Sequence, residues 1–278
     1  MKNTFLIVLL TIFVSCSNND SIIDVITKEL YVSKIVNTSA NGSSELRFTY
    51  DSKNRLIKNE TDAYYREFIY NSNNKVVTIK SVTKPNIPYY TVNFVYDNLG
   101  RIIEVKRDNH YNSSIFYTKY DYYATGEVDN VYVFTSMDNY NSNNHNRYYD
   151  VSGYGSGNNF EGKLLSVYNS NNDFYDPLDD ETWSYDSYYK PYFGEAINEI
   201  ALPYATDGTG IDWDVRYQSN NPVNVSTFNF NSGINFIRRS YEYIYNDDGY
   251  PTKMVKKTYL PDGSVSATFT QDYTYELR

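Results

Sequence analysis

Two aspartates, Asp212 and Asp214, flank Trp213 and are one of the carboxylate pairs in this sequence that could do chemistry. On a β-strand alternate residues face the same side, so both carboxylates would lie on one face of the strand. Paired carboxyl groups beside an aromatic ring suit glycoside hydrolysis, in which one acts as acid and the other as base or nucleophile. A chain rich in Asp also produces such pairs by default. We therefore assign no catalytic residue, and the favoured interpretation is a protein without enzymatic activity.

The sequence has few of the cysteine and histidine residues that other catalytic and metal-binding sites require. The chain has one cysteine, Cys16, and two histidines, His110 and His145, which lie in stretches rich in Asn and Ser that are typical of exposed turns. A nucleophilic triad needs a histidine held beside its partners, and a zinc site needs several Cys or His ligands. The acidic cluster at residues 176–181 lacks EF-hand spacing and is interpreted as solvated loop acids. No cofactor and no metal site are predicted.

Tyrosine, with 33 copies, is the residue type best suited to binding a ligand. Several tyrosines are adjacent in sequence, at residues 64–65, 89–90, 122–123, 148–149 and 188–189. Neighbouring residues of a strand face opposite sides, so each such pair would place one ring in the core and one outside. Exposed rings stack on sugars or dock against a protein, although tyrosine also simply suits a half-wet sheet surface. The candidate residues for a glycan or protein ligand are Trp183, Tyr188, Tyr189, Asp212, Trp213 and Asp214.

A short sequence repeat predicts the elements that position these side chains. Its fullest copy is Tyr96-Asp97-Asn98-Leu99-Gly100-Arg101-Ile102, and further copies begin at Tyr50, Tyr70, Tyr122, Tyr245 and Tyr259. A four-residue hairpin loop built on a type I turn ends in a residue with positive φ, which Gly adopts freely and Asn tolerates. That position holds Asn54, Asn74, Gly100, Gly126, Gly249 and Gly263.

The segments around these turns predict a β-meander. Apolar and polar residues alternate at 46–50 and 92–96, which is the period of a strand with one buried face. Asp97 is expected to brace its turn through its side chain, and Arg101 to start the return strand. The first four copies start 20, 26 and 26 residues apart, which fits two strands and two turns per step. The predicted fold is all-β: an antiparallel meander of repeated β-hairpins that forms a curved sheet or a barrel-like single domain.

The N-terminal segment predicts export and a lipid anchor. Residues 1–15 carry Lys2 followed by a short apolar run, as in a signal peptide, and the run is too short to span a membrane. Cys16 follows directly, an arrangement that resembles the lipobox of bacterial lipoproteins, in which this cysteine is acylated. Acyl chains on Cys16 would attach the protein to a membrane. We expect residues 16–24 to form a flexible tether.

Residues 25–278 are then expected to form the β-hairpin-repeat domain, with a less regular segment at 136–235. One short helix is predicted at 193–201, between two prolines. The formal net charge of −9 argues against nucleic acid and against electrostatic binding to anionic lipid head groups. Because the repeat serves as scaffold, functional residues are expected where it breaks down, in the less regular segment.

The repeat is similar to the YD repeat of Rhs-type proteins. The whole chain resembles more closely the YD-repeat-like lipoproteins of unknown function that are common in Bacteroidetes, in particular at residues 185–193, 217–222 and 245–251. That resemblance implies a β-rich extracytoplasmic domain of an outer-membrane lipoprotein, on the periplasmic face or the cell surface, with no assigned activity. The chain lacks the long arrays, self-cleaving core and toxin segment of true Rhs proteins, which argues against toxin delivery.

Two functions remain open at this point. The first is a lipid-anchored, non-catalytic binding or structural module. The second is a glycan-acting enzyme that uses an Asp/Glu pair within residues 136–235. A cleft with two carboxylates about 5–10 Å apart beside Trp213 would favour the enzyme. A filled meander with exposed aromatic faces would favour the binding module.

Overall fold

A computed structural model describes residues 29–143, 145, 147–150, 162–169, 174–193, 197, 220–229 and 232–278. Within these residues sixteen strands pair antiparallel in sequence order, and one short helix, α1 (Met137–Asn141), follows β9. The predicted all-β antiparallel meander is therefore confirmed. The strands are β1 (Leu30–Ser39), β2 (Gly42–Tyr50), β3 (Leu56–Glu60), β4 (Tyr64–Tyr70), β5 (Val76–Thr83), β6 (Ile87–Tyr96), β7 (Ile102–Asn109), β8 (Ser114–Tyr122), β9 (Val128–Phe134), β10 (Arg147–Asp150), β11 (Gly162–Asn169), β12 (Phe174–Tyr189), β13 (Asn220–Asn229), β14 (Ile234–Tyr245), β15 (Pro251–Tyr259) and β16 (Val265–Leu277).

The first and last strands pair with each other, so the strand order returns to its start. β1 pairs with β2 on one side and with β16 on the other, from Leu30 opposite Leu277 to Ser39 opposite Phe269. Beyond the strand ends, Glu29 and Arg278 exchange two backbone hydrogen bonds of 3.1 Å. Each described strand therefore has a neighbour on both sides, which avoids the unpaired edge of an open sheet.

The six predicted hairpin turns share one geometry. In the turn at 97–100, the Asp97 N–H donates to the Arg101 carbonyl at 2.9 Å and the Gly100 N–H donates to the Asp97 carbonyl at 3.1 Å. The other five turns repeat both bonds, and each pair of strands shows a register shift beside the repeat tyrosine. These shifts are the predicted β-bulges. The predicted positive φ is observed at Asn54 (59°), Asn74 (60°), Gly100 (78°), Gly126 (106°), Gly249 (82°) and Gly263 (84°).

The two ends of the sheet differ, because alternate connections of an antiparallel meander lie at opposite ends. We call the repeat end the one that carries the turns at 51–54, 71–74, 97–100, 123–126 and 246–249. Glu29 and Arg278 also lie there, since β1 starts and β16 finishes at that end. The turn at 260–263 follows β15 and lies at the other end, which we call the opposite end. The six copies of the repeat are therefore alike in turn geometry but not in location.

Polar side chains brace the turns as predicted. Asp97 Oδ1 accepts hydrogen bonds from the N–H groups of Leu99 and Arg101, each at 2.9 Å. Arg101 does more than precede the return strand, because its guanidinium contacts Asp97 Oδ2 at 2.7 Å and lies 4.6 Å from the centroid of the Tyr122 ring. Arg55 makes the equivalent contacts with the acid of its own turn and the next repeat tyrosine. The repeat thus links each hairpin to the following one.

The repeat tyrosines complete this linkage through their hydroxyl groups. Four of the six repeat hydroxyls donate to a backbone carbonyl of a preceding strand, usually that of the first residue of the strand that follows a turn. The hydroxyl of Tyr275 in β16 does the same. The bonds are Tyr50 to Val32 (2.7 Å), Tyr70 to Leu56 (2.7 Å), Tyr96 to Val76 (2.6 Å), Tyr122 to Ile102 (2.5 Å) and Tyr275 to Pro251 (2.7 Å). A buried carbonyl needs a donor, which explains why the repeat carries Tyr rather than Phe.

One apolar cluster occupies much of the inner face of the sheet. Its most deeply buried members include Val32, Ile35, Leu56, Val76, Ile79, Val92, Val131, Val225 and Met254. Phe193 and Ile197, the only described residues of the predicted helix at 193–201, pack into the same cluster. The outer face carries ion pairs along the strands, such as Lys58 with Glu60 at 3.1 Å and Lys257 with Glu242 at 2.7 Å. Ion pairs of this kind belong in water and not in hydrocarbon.

Helix α1 was not predicted from the sequence. Ser136 caps it by accepting a hydrogen bond from the Asn139 N–H at 3.2 Å. Tyr140 of the helix stacks on Tyr117 of β8, with ring centroids 4.2 Å apart, and covers that side chain. Five residues are too few for a periodic pattern, so only the cap residue could have indicated this helix.

Candidate functional site

Two repeat tyrosines depart from the hydroxyl pattern of the repeat: Tyr259 shares a 3.0 Å hydrogen bond with the Ser240 hydroxyl, and Tyr245 bonds to an acid. Tyr245 opens the copy of the repeat between β14 and β15, but its hydroxyl donates to the Asp186 carboxylate instead of a backbone carbonyl. Asp186 lies near the end of β12, in the segment where the sequence pattern becomes irregular. Its Oδ1 atom also accepts the Tyr188 N–H at 3.0 Å. The break in the repeat therefore coincides with a specific polar contact between β12 and β14.

Four tyrosine rings form a platform around this contact. Tyr188 stacks on Tyr245 with centroids 4.2 Å apart and an interplanar angle of 20°. Tyr189 stacks on Tyr250 at 5.2 Å and 24°. Tyr188 is 49% exposed and Tyr189 is 63% exposed. We call these four residues the tyrosine platform; it presents aromatic rings to solvent at the repeat end.

A shift in strand register explains why both outer rings of the platform are exposed. β12 and β13 pair regularly up to Ser184 opposite Asn224, and their register then shifts twice before Tyr189 pairs with Asn220. The intervening residues of β12 lie outside regular pairing, so the alternation of faces is lost there. The prediction of one buried and one outer ring is wrong for this pair. It is correct for Tyr89, which is exposed, and Tyr90, which is buried.

Asn221 holds the end of β12 in place from β13. Its side chain is fully buried, and Nδ2 donates to the Tyr189 carbonyl at 2.9 Å and lies 3.4 Å from Asp186 Oδ1. Beyond the platform, the Tyr192 carbonyl accepts the Val32 N–H at 2.9 Å, which ties the chain to β1. The platform is therefore anchored on both sides.

Gly249 lies directly beside the rings of Tyr188 and Tyr189. An added Cβ at this position would lie 3.5 Å from Tyr189 Cδ2 and 3.8 Å from Tyr188 Cδ1, so the turn at 246–249 packs directly against both rings. Gly249 adopts the positive φ of the turn, and a Cβ there would only touch the two rings, whereas a longer side chain would have to share their space.

Burial and the Asp186 carboxylate together determine the protonation of Tyr245. Burial first, and then the hydrogen bond to Asp186, raise the pKa of the Tyr245 phenol well above its ordinary value. Burial likewise raises the pKa of Tyr250. Both phenols therefore stay neutral at physiological pH, and Tyr245 remains a hydrogen-bond donor to Asp186.

Trp183, a predicted ligand-binding residue, lies in the core and not on the surface. Its side chain is 6% exposed, and the Arg239 guanidinium lies 5.0 Å from its ring. Glu181, two residues earlier, is buried and pairs with Arg238 at 2.8 Å and Arg239 at 3.3 Å. The acidic cluster at 176–181 was predicted to lie in a loop, but it forms part of β12. Its backbone hydrogen-bonds to β11 and β13, which corrects that prediction.

The remaining predicted residues are distributed as follows. Tyr188 and Tyr189 form the exposed half of the platform. Asp212, Trp213, Asp214 and Cys16 lie outside the described residues. Asp186, Asn221, Tyr245 and Tyr250 were missed, although a repeat tyrosine beside an irregular segment was a signal for Tyr245. Asn221 gave no signal, because its partners are distant in sequence.

A second pair of exposed tyrosines lies at the opposite end. Tyr89 and Tyr111 stack with centroids 4.9 Å apart and an interplanar angle of 21°. Tyr111 is 61% exposed, close to the value for Tyr189. Within the described residues, no pair of polar side chains holds Tyr89 and Tyr111 in place as Asp186 and Asn221 hold the platform. The two tyrosines are therefore a natural control for the platform.

The fold and the platform together define a meander of antiparallel strands with an aromatic surface site, and solved structures share the fold. No protein-family model and no curated protein matches the chain. A porin-like protein from Bacteroides uniformis has a TM-score of 0.54 at 11% identity, over 88% of this chain and 98% of that one. A porin-like protein from Bacteroides vulgatus gives 0.54 at 13% identity, over 89% and 99%. At these identities the likeness concerns the fold alone.

A weaker likeness links the chain to a toxin complex. The Tc holotoxin pore of Photorhabdus luminescens matches with a TM-score of 0.31 at 9% identity, over 81% of this chain and 13% of that one. A score of this size carries no argument about function. In the part of the chain that the structure describes, no helix combines the length and apolar character that crossing a bilayer requires.

Proposed function

We propose that the chain is a non-catalytic binding module whose tyrosine platform binds carbohydrate. The observation that carries the proposal is the geometry of Tyr188 and Tyr189. Each ring lies flat on a second tyrosine and remains about half exposed. A ring held flat in this way binds the apolar face of a sugar at little entropic cost, and its hydroxyl can hydrogen-bond to the sugar.

The polar groups of the platform support binding rather than bond cleavage. Glycoside hydrolysis requires two carboxyl groups on opposite sides of the scissile bond. Among the described side chains, Asp186 is the acid that hydrogen-bonds to the platform, and its oxygens already accept hydrogen bonds from Tyr245 and the Tyr188 backbone. A carboxylate that accepts these hydrogen bonds holds the Tyr245 ring in position. The alternative, a glycan-acting enzyme that uses an Asp/Glu pair within residues 136–235, stays a prediction, and Asp212 and Asp214 lie outside the described residues.

A lipid on Cys16 is the second part of the proposal. Glu29, the first described residue, lies at the repeat end with the platform. Residues 16–28 span at most about 45 Å when fully extended. An anchored chain would therefore keep the platform close to the membrane, within reach of carbohydrate at the surface of the outer membrane. The description of the two Bacteroides neighbours as porin-like is compatible with that location.

The carbohydrate proposal is tested by screening the intact chain on a glycan array and measuring the best ligand by calorimetry. Tyr188→Ala and Tyr189→Ala are expected to weaken binding at least tenfold, because each removes one exposed ring. Tyr111→Ala is the matched control, since Tyr111 is equally exposed and also stacked but lies at the opposite end. Absence of any glycan signal, or equal binding by all variants, would refute the proposal. Binding of a protein and no glycan would also refute it.

The lipid anchor is tested separately in a bacterial host grown with labelled palmitate. The full-length chain is expected to incorporate the label and to fractionate with outer membranes. Cys16→Ser is expected to abolish both. A label that persists in Cys16→Ser, or that never appears in the unmodified chain, would exclude the anchor without affecting the carbohydrate proposal.

A further inference from the structure

A row of polar side chains crosses the inner face of the sheet towards the opposite end. The strand register places six residues side by side on β3 to β8: Asn59, Arg66, Ser81, Tyr90, Asn109 and Ser114. The first five are more than nine-tenths buried. The row faces inward, because Phe68, Ile79 and Val92, each two residues from a member, belong to the apolar core.

Arg66 brings a positive charge into this row. Its side chain is 8% exposed, its Nε donates to Tyr90 Oη at 2.7 Å, and Nη1 donates to Asn59 Oδ1 at 3.3 Å. The guanidinium also lies 4.4 Å from the centroid of the Tyr64 ring. A guanidinium has five N–H donors, so these two neutral acceptors leave most of them available. Within the described residues no carboxylate pairs with Arg66.

Arg107 adds a second guanidinium beside the same tyrosine. It lies opposite Val92 on the inner face, and its guanidinium is 4.1 Å from the centroid of the Tyr90 ring. Its Nε donates to Asn109 Oδ1 at 2.9 Å, while Asn109 Nδ2 donates to Ser114 Oγ at 2.9 Å. Across the ranges that the structure describes, Arg107 also forms no ion pair. Two cations thus flank one buried tyrosine.

The other arginines show how unusual this arrangement is. Every other arginine whose side chain is described has a carboxylate within 4 Å: Arg47, Arg55, Arg101, Arg238, Arg239 and Arg278. The chain as a whole is acidic, with 34 Asp and Glu against 25 Lys and Arg, so acids are plentiful. A buried guanidinium without an acid is costly, because burial removes its hydration. An oxyanion is the group that satisfies both the charge and the remaining donors.

We propose that Arg66 and Arg107 form a binding site for the carboxylate or sulfate group of a small molecule. The oxyanion binds between the two guanidiniums on the inner face, with the amides of Asn59 and Asn109 beside it. Arg66 is the third residue of β4 and Asn109 is the last of β7, so the ligand enters from the opposite end. The site is independent of the tyrosine platform, which lies at the repeat end. Inorganic sulfate and an acidic sugar share the chemistry it recognises.

The experiment titrates the intact chain with sodium sulfate and with sodium glucuronate, at constant ionic strength, in a calorimeter. Sodium chloride and glucose are the controls for ionic strength and for the uncharged sugar. Arg66→Gln and Arg107→Gln are expected to weaken saturable binding at least tenfold, because each removes one cation. Arg47→Gln, on the outer face, is expected to bind like the unmodified chain. Tighter binding of glucuronate than of sulfate identifies an acidic sugar as the source, and equal binding identifies the free oxyanion.

A second measurement avoids any dependence on the folding of the variants. In the unmodified chain, the Nε–H resonances of two arginines are expected to shift saturably in NMR spectra as the anion is added. Binding that is equal in all variants would overturn the proposal. So would the absence of saturable binding by either anion, or resonances that move only in proportion to salt.

Discussion

At the scale of single residues, the hydroxyl group distinguishes tyrosine from phenylalanine in the repeat. Five tyrosine hydroxyls donate to backbone carbonyls of preceding strands, and each carbonyl is thereby satisfied where the strand begins or bulges. The high tyrosine content of the chain is partly explained by this bond. The remaining tyrosines were the ones to examine for function, and Tyr245 is the repeat tyrosine whose hydroxyl donates to a carboxylate.

Tyr96→Phe is expected to lower the free energy of unfolding by about 1 kcal/mol, because the Val76 carbonyl loses its 2.6 Å hydrogen bond. Tyr111→Phe is the control, since Tyr111 is exposed, and it should change stability by less than about 0.5 kcal/mol. Denaturant unfolding of both variants measures the difference. Equal stability of the two variants would show that the hydroxyl bond contributes nothing.

Asp97 makes part of the stability depend on pH. Hydrogen bonds from Arg101, first from its backbone N–H and then from its side chain, lower the pKa of the Asp97 carboxyl below its usual 3.8. A lowered pKa in the folded state means that the contribution is present above pH 3.8 and is lost as pH falls through the folded-state value. We expect Asp97→Asn to be less stable than the unmodified chain at pH 7, and the difference to vanish towards pH 2.

Thermal unfolding between pH 7 and pH 2 checks this expectation. Asn is the right replacement, because Asn71 makes both of the corresponding backbone contacts in its own turn and Asn246 makes one of them. Asp248→Asn is the control, since Asp248 is exposed. A difference between Asp97→Asn and the unmodified chain that stays constant with pH would contradict the assignment.

At the scale of elements, one turn geometry occurs in two different surroundings. The turns at 246–249 and 260–263 both end in a glycine, with φ of 82° and 84°. A Cβ at Gly263 would meet nothing within 4 Å, whereas one at Gly249 would touch the rings of Tyr188 and Tyr189. The local sequence specifies the turn, and the neighbouring strands decide what the turn supports.

Gly263→Asn is expected to be tolerated at a cost on the order of 1 kcal/mol or less, because Asn occupies this position in two natural copies of the repeat. Gly249→Asn has the same backbone cost, but its amide must enter the space beside the two rings. We expect it to shift the NMR ring resonances of Tyr188 and Tyr189 and to weaken any platform ligand. Identical behaviour of the two variants would show that the turn does not support the platform.

At the scale of the whole molecule, the pairing of the first and last strands determines where the chain can be opened or shortened without loss of the fold. Glu29 and Arg278 are hydrogen-bonded to each other, so a short linker can join the ends. A permuted chain with that linker and new ends in the turn after Asn112 is expected to fold, with a melting temperature within a few degrees of the original. Removing β16 instead leaves β1 and β15 each with one unpaired edge.

Circular dichroism during heating compares the permuted chain with the chain that lacks β16. We expect a cooperative transition for the permuted chain and its loss for the chain without β16, because an unpaired edge exposes two strands. Cooperative unfolding of the shortened chain at the original temperature would show that the pairing of β1 with β16 does not contribute to stability.

The sequence by itself determined the hairpins of this protein. Alternation and the glycine or asparagine at each turn predict strands, turns, bulges and a meander, because these depend on residues that are adjacent in the chain. The φ values at Asn54, Gly100 and Gly249 needed no tertiary information. For the same reason, the hydrogen bonds between the Asp97 side chain and its turn backbone could be predicted from the sequence.

Only the tertiary structure decided which side chains meet. Tyr188 and Tyr189 were identified from sequence, but their partners Tyr245 and Tyr250 lie more than fifty residues away. Trp183 looked like a surface ligand residue, and strand register placed it in the core. Arg66 and Arg107 gave no signal, because the lack of a paired acid among the described residues is recognised only once the neighbouring strands are placed. Register is a property of paired strands, so it cannot be read from either strand alone.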